Sequence, residues 1–494
     1  MSVETRKNRD NQPLEDDSVV AESKREQPSE SSLQILQRYW SDLMHGGGKK
    51  LNTIRIDKPS NSSTAVQMVL SPEEIMQIAR SKLEQCAFQS CCVHSVVFEH
   101  SYLLGETDIK GGDVELALLL QASAEMVANQ QFDRARKLLG LCNQFASANG
   151  STVERIVYYF ARALKERMDL DRDAETEESE KVPLNVEEAV MSMEAAIIAC
   201  VQDLPFSQVT NFTGVHAILD NITSARKVHL VDFEIGSGSH WTIIMQDLAN
   251  RSEPPIESLK ITAVGSSKRR IERTGKWLSS FAETMNLPFS FKAIVCDAKD
   301  LRKELFEMEA DEVVAVFAEY RLSTLLVCPN QLHNLIAVIQ TFNPSVMVVA
   351  ETEADTNTPS FLARFYNLLS YCTATLDSVA TCMDRNHQYR KITEQVIHWE
   401  LIRNVITTEG ADRIYRHAKI DFWRQFFARF GIEEEALSHS ALYQASFLIR
   451  KYPSWSHCSL DMNGKSMIIK WKGTPVKSLS VWKFCPVKNN TEKK

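Results

Sequence analysis

The chain has 494 residues, of which 44% are hydrophobic, 24% charged and 8% aromatic, a globular composition that excludes collagen-like, disulfide-knot and wholly disordered classes. Its 56 Lys and Arg against 64 Asp and Glu give a formal charge of −8. No global cationic excess is left to neutralise a phosphate backbone, so duplex binding by the whole molecule is disfavoured, although a local basic face stays open to it. The first twenty residues lack the apolar run of a signal peptide, and no later stretch approaches the roughly 18 apolar residues of a membrane span. A soluble, intracellular chain without membrane contact is expected. Eleven cysteines with no C-x-x-C unit read as small buried hydrophobes. Cys91, Cys92, His94 and His100 match no zinc spacing, and no metal site is expected.

Residues 1–68 are polar and contain the Gly46-Gly47-Gly48 run, which predicts mostly disordered chain; QILQRYWSDLMHG is the one segment there with helical apolar spacing. Ser71-Pro72-Glu73-Glu74 is a helix start, with a capping serine, a proline at the first helical position and a glutamate three residues after the cap. From Val114 to Met168 apolar residues recur every three or four positions, among them Leu116, Leu119, Leu120, Leu138, Leu139, Phe145, Tyr159 and Phe160. This predicts an antiparallel helical array broken near Asn149-Gly150. The acidic stretch 169–181 reads as an exposed loop. A helical cap is thus expected over 69–225.

Beyond residue 226 the pattern alternates. KVHLVDF, LKITAVG, FSFKAIVC, VVAVFAEY and SVMVVAE are strand-like and are separated by helical segments such as WTIIMQDLANR and NQLHNLIAVIQTF. Strand–helix units of this length predict a Rossmann-like, doubly wound, mostly parallel α/β sheet over 226–486, followed by a disordered tail at 487–494. ASFLIRK, SMIIKW and SLSVWKF read as antiparallel strands closing one sheet edge.

The sharpest local signal is VHLVDFEIGSGSHW at 228–241, a buried-type strand followed by Asp232, Glu234, Gly236, Gly238 and a helix. Glycines at such a place let backbone amides approach an anion at a helix N-terminus, and an S-adenosylmethionine or nucleotide pocket would use Asp232, Glu234, Gly236, Gly238 and Asp297. A third glycine is missing, however, bulky Trp241 follows at once, and the second strand ends in Val264-Gly265-Ser266-Ser267 without a ribose-binding acid. A ligand-free strand-to-helix turn is therefore the preferred reading, with no cofactor and no catalytic residue. Ser237, Ser239 and His240 lack nucleophile-elbow order, and His417 with Glu409 reads as a structural pair. The basic run SSKRRIERTGK, with Lys268, Arg269 and Arg270, is a candidate for nuclear import or a phosphate contact and otherwise a solvated helix face.

Five motifs then occur in order. LLLQASAEMV to YYFARALKERM at 118–168 resembles a first leucine-rich region, Val228, His229, Leu230, Val231 and Asp232 resemble a VHIID hallmark, and 272–291 resembles a second leucine-rich region. Pro344, Glu351, Phe361, Arg364 and Tyr371 resemble a PFYRE segment; 403–425, with Arg413, Arg416 and Trp423, and 471–482, with Trp471 and Trp482, resemble a SAW region. The chain thus resembles plant GRAS-domain transcriptional regulators of the scarecrow-like or DELLA-related kind. It departs from them at Tyr415, Val481 and Ser239-His240, and residues 1–68 lack the DELLA and TVHYNP motifs. The resemblance implies a helical cap on a methyltransferase-like core, acting in the nucleus without catalysis. It also implies DNA-binding transcription factors and other nuclear proteins as partners, homo- or hetero-dimers among the arrangements, and the motif residues just named as candidates for partner contact.

Overall fold

The computed structural model describes residues 70–88, 109–170, 196–383 and 388–484, all within the unit Val69–Lys494. The segment QILQRYWSDLMHG, the cysteines and histidines at 91–100, the acidic stretch beyond 170 and the tail at 487–494 lie outside the described residues.

Helix α1 (Pro72–Phe88) starts as its sequence dictates: Ser71 Oγ accepts the Glu74 N–H at 3.3 Å, and Glu74 returns a bond from the Ser71 N–H at 2.7 Å. Helices α2 (Ile109–Ala128), α3 (Phe132–Phe145) and α4 (Thr152–Leu170) follow, and the Asn149-Gly150 break precedes a second capping box between Ser151 and Glu154. Their apolar stripes meet in one core containing Leu120, Leu139, Ile156, Phe160 and Leu164. That core also takes Phe365, Leu368 and Cys372 from α9 (Phe361–Cys382) and Ile402 and Val405 from α10 (Trp399–Thr407), so the helical layer draws on chain far beyond residue 225. Each large side chain fully removed from water there contributes roughly 1.5–3 kcal/mol. Phe145 is the exception among the expected apolar positions and lies about half exposed.

The described strands form one nine-stranded sheet: β1 (Lys227–Phe233), β2 (Ser258–Gly265), β3 (Phe289–Val295), β4 (Val313–Glu319), β5 (Val346–Thr352), β6 (Ile432–Glu435), β7 (Cys458–Asn463), β8 (Ser466–Trp471) and β9 (Thr474–Phe484). The order is β3-β2-β1-β4-β5-β9-β8-β7, with the first five parallel, β9 antiparallel to β5, and β6 paired to the far end of β9. The five parallel strands coincide with the predicted runs to within a residue or two; β1, β2, β4 and β5 are buried on both faces, as such runs require, while β3 at the sheet edge stays largely exposed. On one face Val231, Phe233, Val316, Met347 and Val349 pack against α8 (Pro329–Phe342) and α11 (Ile420–Ala428). On the other lies α5 (Pro205–Asn221). It presses so closely that a Cβ on Gly214 would come within 2.9 Å of both Phe317 and Val348.

One expected strand is a helix. ASFLIRK falls in α12 (His439–Ile449), which is capped by Ser438 Oγ accepting the Ala441 N–H at 3.1 Å and buries Ala441, Ala445 and Leu448 at helical spacing. A short apolar run does not reveal its period, and here the cap four residues before Leu442 decided it. The expected strands SMIIKW and SLSVWKF are β8 and the main part of β9.

Candidate functional site

The strand order reverses between β1 and β4, and the carboxyl ends of these strands are where an open α/β sheet ordinarily receives a ligand. The side chains there come from the VHLVD strand, the glycine turn and two helices, α6 (Trp241–Asn250) and α7 (Lys268–Thr284). Alternation along β1 sends Asp232 to the same face as its register partner Phe317 on β4. Asp232 is 1% exposed, and Trp241 Nε1 donates to its Oδ2 at 2.7 Å. His240 Nε2 stands 3.3 Å from the same oxygen, and the His240 ring stacks on Phe317 with centroids 5.0 Å apart. Burial raises the Asp232 carboxyl above its ordinary value, against the pull of these two donors.

Glu234 sits in the left-handed region at φ 81° and turns across the end of β2, where a Cβ on Gly265 would meet its carboxylate at 3.4 Å. Arg270 of α7 donates to Glu234 Oε1, and Arg321 Nη1 stands 3.9 Å from Oε2. Both turn glycines have positive φ, +57° at Gly236 and +67° at Gly238. A Cβ on Gly238 would come within 2.7 Å of Thr274, whose hydroxyl donates to Gly236 O at 2.9 Å. The turn is therefore pressed against α7. Asp297 lies exposed and pairs with Lys299 at 3.4 Å. This set does not fit an adenosyl cofactor: one acid is bound by the chain's own indole and the other by its own guanidinium, and the turn at Gly238 is packed against Thr274. Ser237 Oγ meets Ser239 Oγ at 3.0 Å while His240 faces Asp232, so no serine–histidine pair forms among them.

Two further buried polar groups flank the crevice, and sequence reasoning did not single out their roles. Lys477 on β9, 1% exposed, donates to Glu319 at the end of β4 and to Ser207 Oγ at 3.0 Å, with its ammonium 4.2 Å over the Tyr320 ring. Glu351 at the end of β5 accepts the Leu322 N–H at 2.9 Å and the Ser323 N–H at 3.1 Å. Its burial pushes the carboxyl up to about 7. Glu351 could have been flagged as a charge near the end of an apolar run, whereas Lys477 sits on a strand that also carries Thr474, Ser478 and Ser480 and gave no such signal.

The remaining motif residues are mostly interior. His229, with Val228, Leu230 and Val231 beside it, is buried. Its Nδ1 lies 3.0 Å from Glu312 and its Nε2 2.8 Å from Thr262, and burial pushes the imidazole down to about 4. Trp423, Trp471 and Trp482 are each 1% exposed; Trp423 Nε1 donates to Ala418 O, Trp471 Nε1 to Asp377 and Trp482 Nε1 to Ser480. None of these side chains reaches the surface to meet another molecule. Arg364, Arg413 and Arg416 gather around the 356–359 segment, with Glu409 joined to Arg364 and to Arg167. His417, expected to pair with Glu409, instead approaches Thr356 Oγ1 at 3.4 Å, because the loop carries Glu409 to the guanidiniums. On α7, Lys268, Arg269, Arg273 and Lys276 line the exposed face with Glu272, whereas Arg270 turns inward to Glu234 and leaves that patch. Among the described residues, no group of three or more His, Cys, Asp or Glu is placed to hold a metal ion, and no helix is long and apolar enough to cross a membrane.

Comparison with known proteins gives a consistent assignment. The profile of the GRAS domain family matches residues 116–483. DELLA protein GAIP of Cucurbita maxima is 26% identical over 424 residues, which cover 84% of this chain and 70% of that protein. Scarecrow-like protein 18 of Arabidopsis thaliana is 28% identical, covering 74% of this chain and 91% of its own length. The crystal structure of SCL7 from Oryza sativa superposes with a TM-score of 0.64 at 27% identity, over 70% of this chain and 94% of SCL7. With the family profile running from within α2 to the last strand, this chain belongs to the GRAS domain family of plant transcriptional regulators.

Proposed function

We propose that the chain is a nuclear co-regulator of transcription that works without catalysis, through contacts of its GRAS domain with other nuclear proteins, DNA-binding transcription factors among them. The observation that carries this reading is that the two acids at the β1–β4 crevice are engaged by the chain's own side chains, Asp232 by Trp241 and Glu234 by Arg270, which favours the outer surface as the functional part of the scaffold. Family membership supports the transcriptional role, and the formal charge of −8 suits a protein brought to DNA by others. The exposed cations of α7 serve nuclear import in this reading, without Arg270.

The test is a fusion of the full chain to a heterologous DNA-binding domain in plant cells carrying a reporter, with imaging of the tagged protein. A change in reporter output and nuclear accumulation are expected. A nuclear protein that leaves the reporter unchanged contradicts the regulatory role, and exclusion from the nucleus contradicts the localisation. Replacing Lys268, Arg269 and Lys276 with alanine should shift the protein toward the cytoplasm; undiminished nuclear signal removes the import role. For the same α7 face, steeply salt-dependent affinity for duplex DNA would instead mark a direct contact.

A further inference from the structure

At the loop that follows α10, two guanidiniums share one carboxylate and, among the described residues, two more lie beside them without one. Arg167 Nη2 stands 3.0 Å from Glu409 Oε1, and Arg364 Nη2 donates to the same oxygen. Among the described residues, Arg413 and Arg416 have no carboxylate within ion-pair distance. Arg413 Nη1 donates to Thr356 O and Thr358 O, each at a long 3.3 Å, and Arg416 donates to Arg413 O at 3.0 Å, Gly410 O at 2.6 Å and Asn357 Oδ1 at 3.2 Å. Arg364 is 1% and Arg413 4% exposed, and the Nε of each is buried without a hydrogen-bond partner. Four positive charges thus face one negative charge, with two buried N–H groups unanswered. Burial and the neighbouring Arg364 and Arg416 charges push Arg413 down to about 10. Uncompensated buried charge of this kind is costly, and a second anion relieves it.

We propose that Arg167, Arg364, Arg413 and Arg416, with Asn357, form a binding site for a phosphate group, and that Glu409 is the resident counter-ion guarding it. A phosphate dianion brings twice the charge of a carboxylate and more acceptor oxygens, which is the chemistry planar guanidiniums recognise best. The way in is set by exposure. Glu409 is half exposed, on the residue before the positive-φ Gly410, and Arg167 keeps 19% of its side chain in solvent, whereas Arg364 and Arg413 form the floor. Phe361 fixes the rim, with Arg167 stacked 4.2 Å above its ring. The phosphate can arrive as the free ion or on a phosphorylated serine of a peptide, since the cluster reads only the phosphate.

The test is calorimetry on the full chain at fixed ionic strength, titrated with inorganic phosphate, with a short phosphoserine peptide and with its unphosphorylated form. Saturable phosphate binding is expected, strengthened about tenfold by Glu409→Gln, which removes the competing carboxylate, and weakened about tenfold by Arg416→Gln. Tighter binding of the phosphopeptide than of free phosphate would identify the source as a modified protein, and equal or weaker binding would identify the free ion. The absence of phosphate-dependent heat in both the native chain and Glu409→Gln overturns the proposal, as does phosphate affinity that neither variant changes. Should Arg416→Gln fail to fold, Glu409→Gln decides alone: unchanged affinity overturns it.

Discussion

Trp241 Nε1 donates to Asp232 Oδ2 at 2.7 Å, joining the end of the hallmark strand to the first residue of the helix that follows it. The acid that a nucleotide-binding sheet would offer to a ligand is here a tether inside the protein. Asp232→Ala and Trp241→Phe should therefore be strongly non-additive. Each removes the same buried bond, so the double variant should be less destabilised than the sum of the singles by about 1–3 kcal/mol. Denaturant midpoints of the two singles and the double measure this, and additive effects would dissolve the tether.

The two turn glycines should respond differently to substitution. At Gly238 a methyl group would meet Thr274 at 2.7 Å and Leu278 at 3.2 Å, whereas at Gly236 the nearest atom is 3.9 Å away. Both carry the cost of a side chain at positive φ, about 1 kcal/mol. Gly238→Ala adds overpacking and should lose a further 1–3 kcal/mol or so. Thermal melting of the pair checks the order, and equal losses would mean α7 does not press on the turn as described.

The legibility of the molecule in its sequence follows how local each determinant is. The five parallel strands were readable because a run of apolar and β-branched residues declares itself within seven consecutive positions, and α1 because Ser71 and Glu74 lie three apart. The edge strands β6 and β7 were not read. IEEE carries no apolar pattern, and CSLDMN offers only a short alternation of Cys458, Leu460 and Met462; pairing with β9 and β8 makes them strands. The hallmark residues were recognisable as a motif, but their burial depends on α5, α6 and α8 closing over both faces. Bonds such as Arg155–Glu394 and Trp471–Asp377 join residues 239 and 94 positions apart in the chain, a separation no local pattern encodes.

The first of those bonds belongs to a buried triad. Arg155 Nε lies 3.0 Å from Glu394 Oε2, Arg390 Nε lies 3.1 Å from Glu394 Oε1, and all three side chains are less than 10% exposed. Glu394→Gln leaves two guanidiniums uncompensated inside the helical layer and should cost roughly 3–5 kcal/mol. Glu166→Gln, which breaks the half-exposed pair with Arg403, should cost less than about 1 kcal/mol. Chemical denaturation of both variants makes the comparison, and similar losses would contradict it.

Glu351 makes a pH-dependent prediction. Its carboxyl is pushed up to about 7 by burial, so between its unfolded value of 4.5 and 7 the folded chain holds a proton that the unfolded chain releases. Its contribution to stability is therefore complete below pH 4.5 and is lost as pH rises through 7. Glu351→Gln should remove that decline, gaining on the order of 2 kcal/mol over the native chain between pH 5 and pH 8. Melting temperatures across that range test it, and parallel curves for the two proteins would show that Glu351 ionises without cost.

The most direct measurement is calorimetric titration of the purified full chain with S-adenosylmethionine. The engagement of Asp232 by Trp241 and of Glu234 by Arg270 predicts no saturable heat, in the native chain and in Trp241→Phe alike. Stoichiometric binding that Asp232→Ala abolishes would mean that the acid at the end of β1 still serves a ligand and would contradict the non-catalytic account.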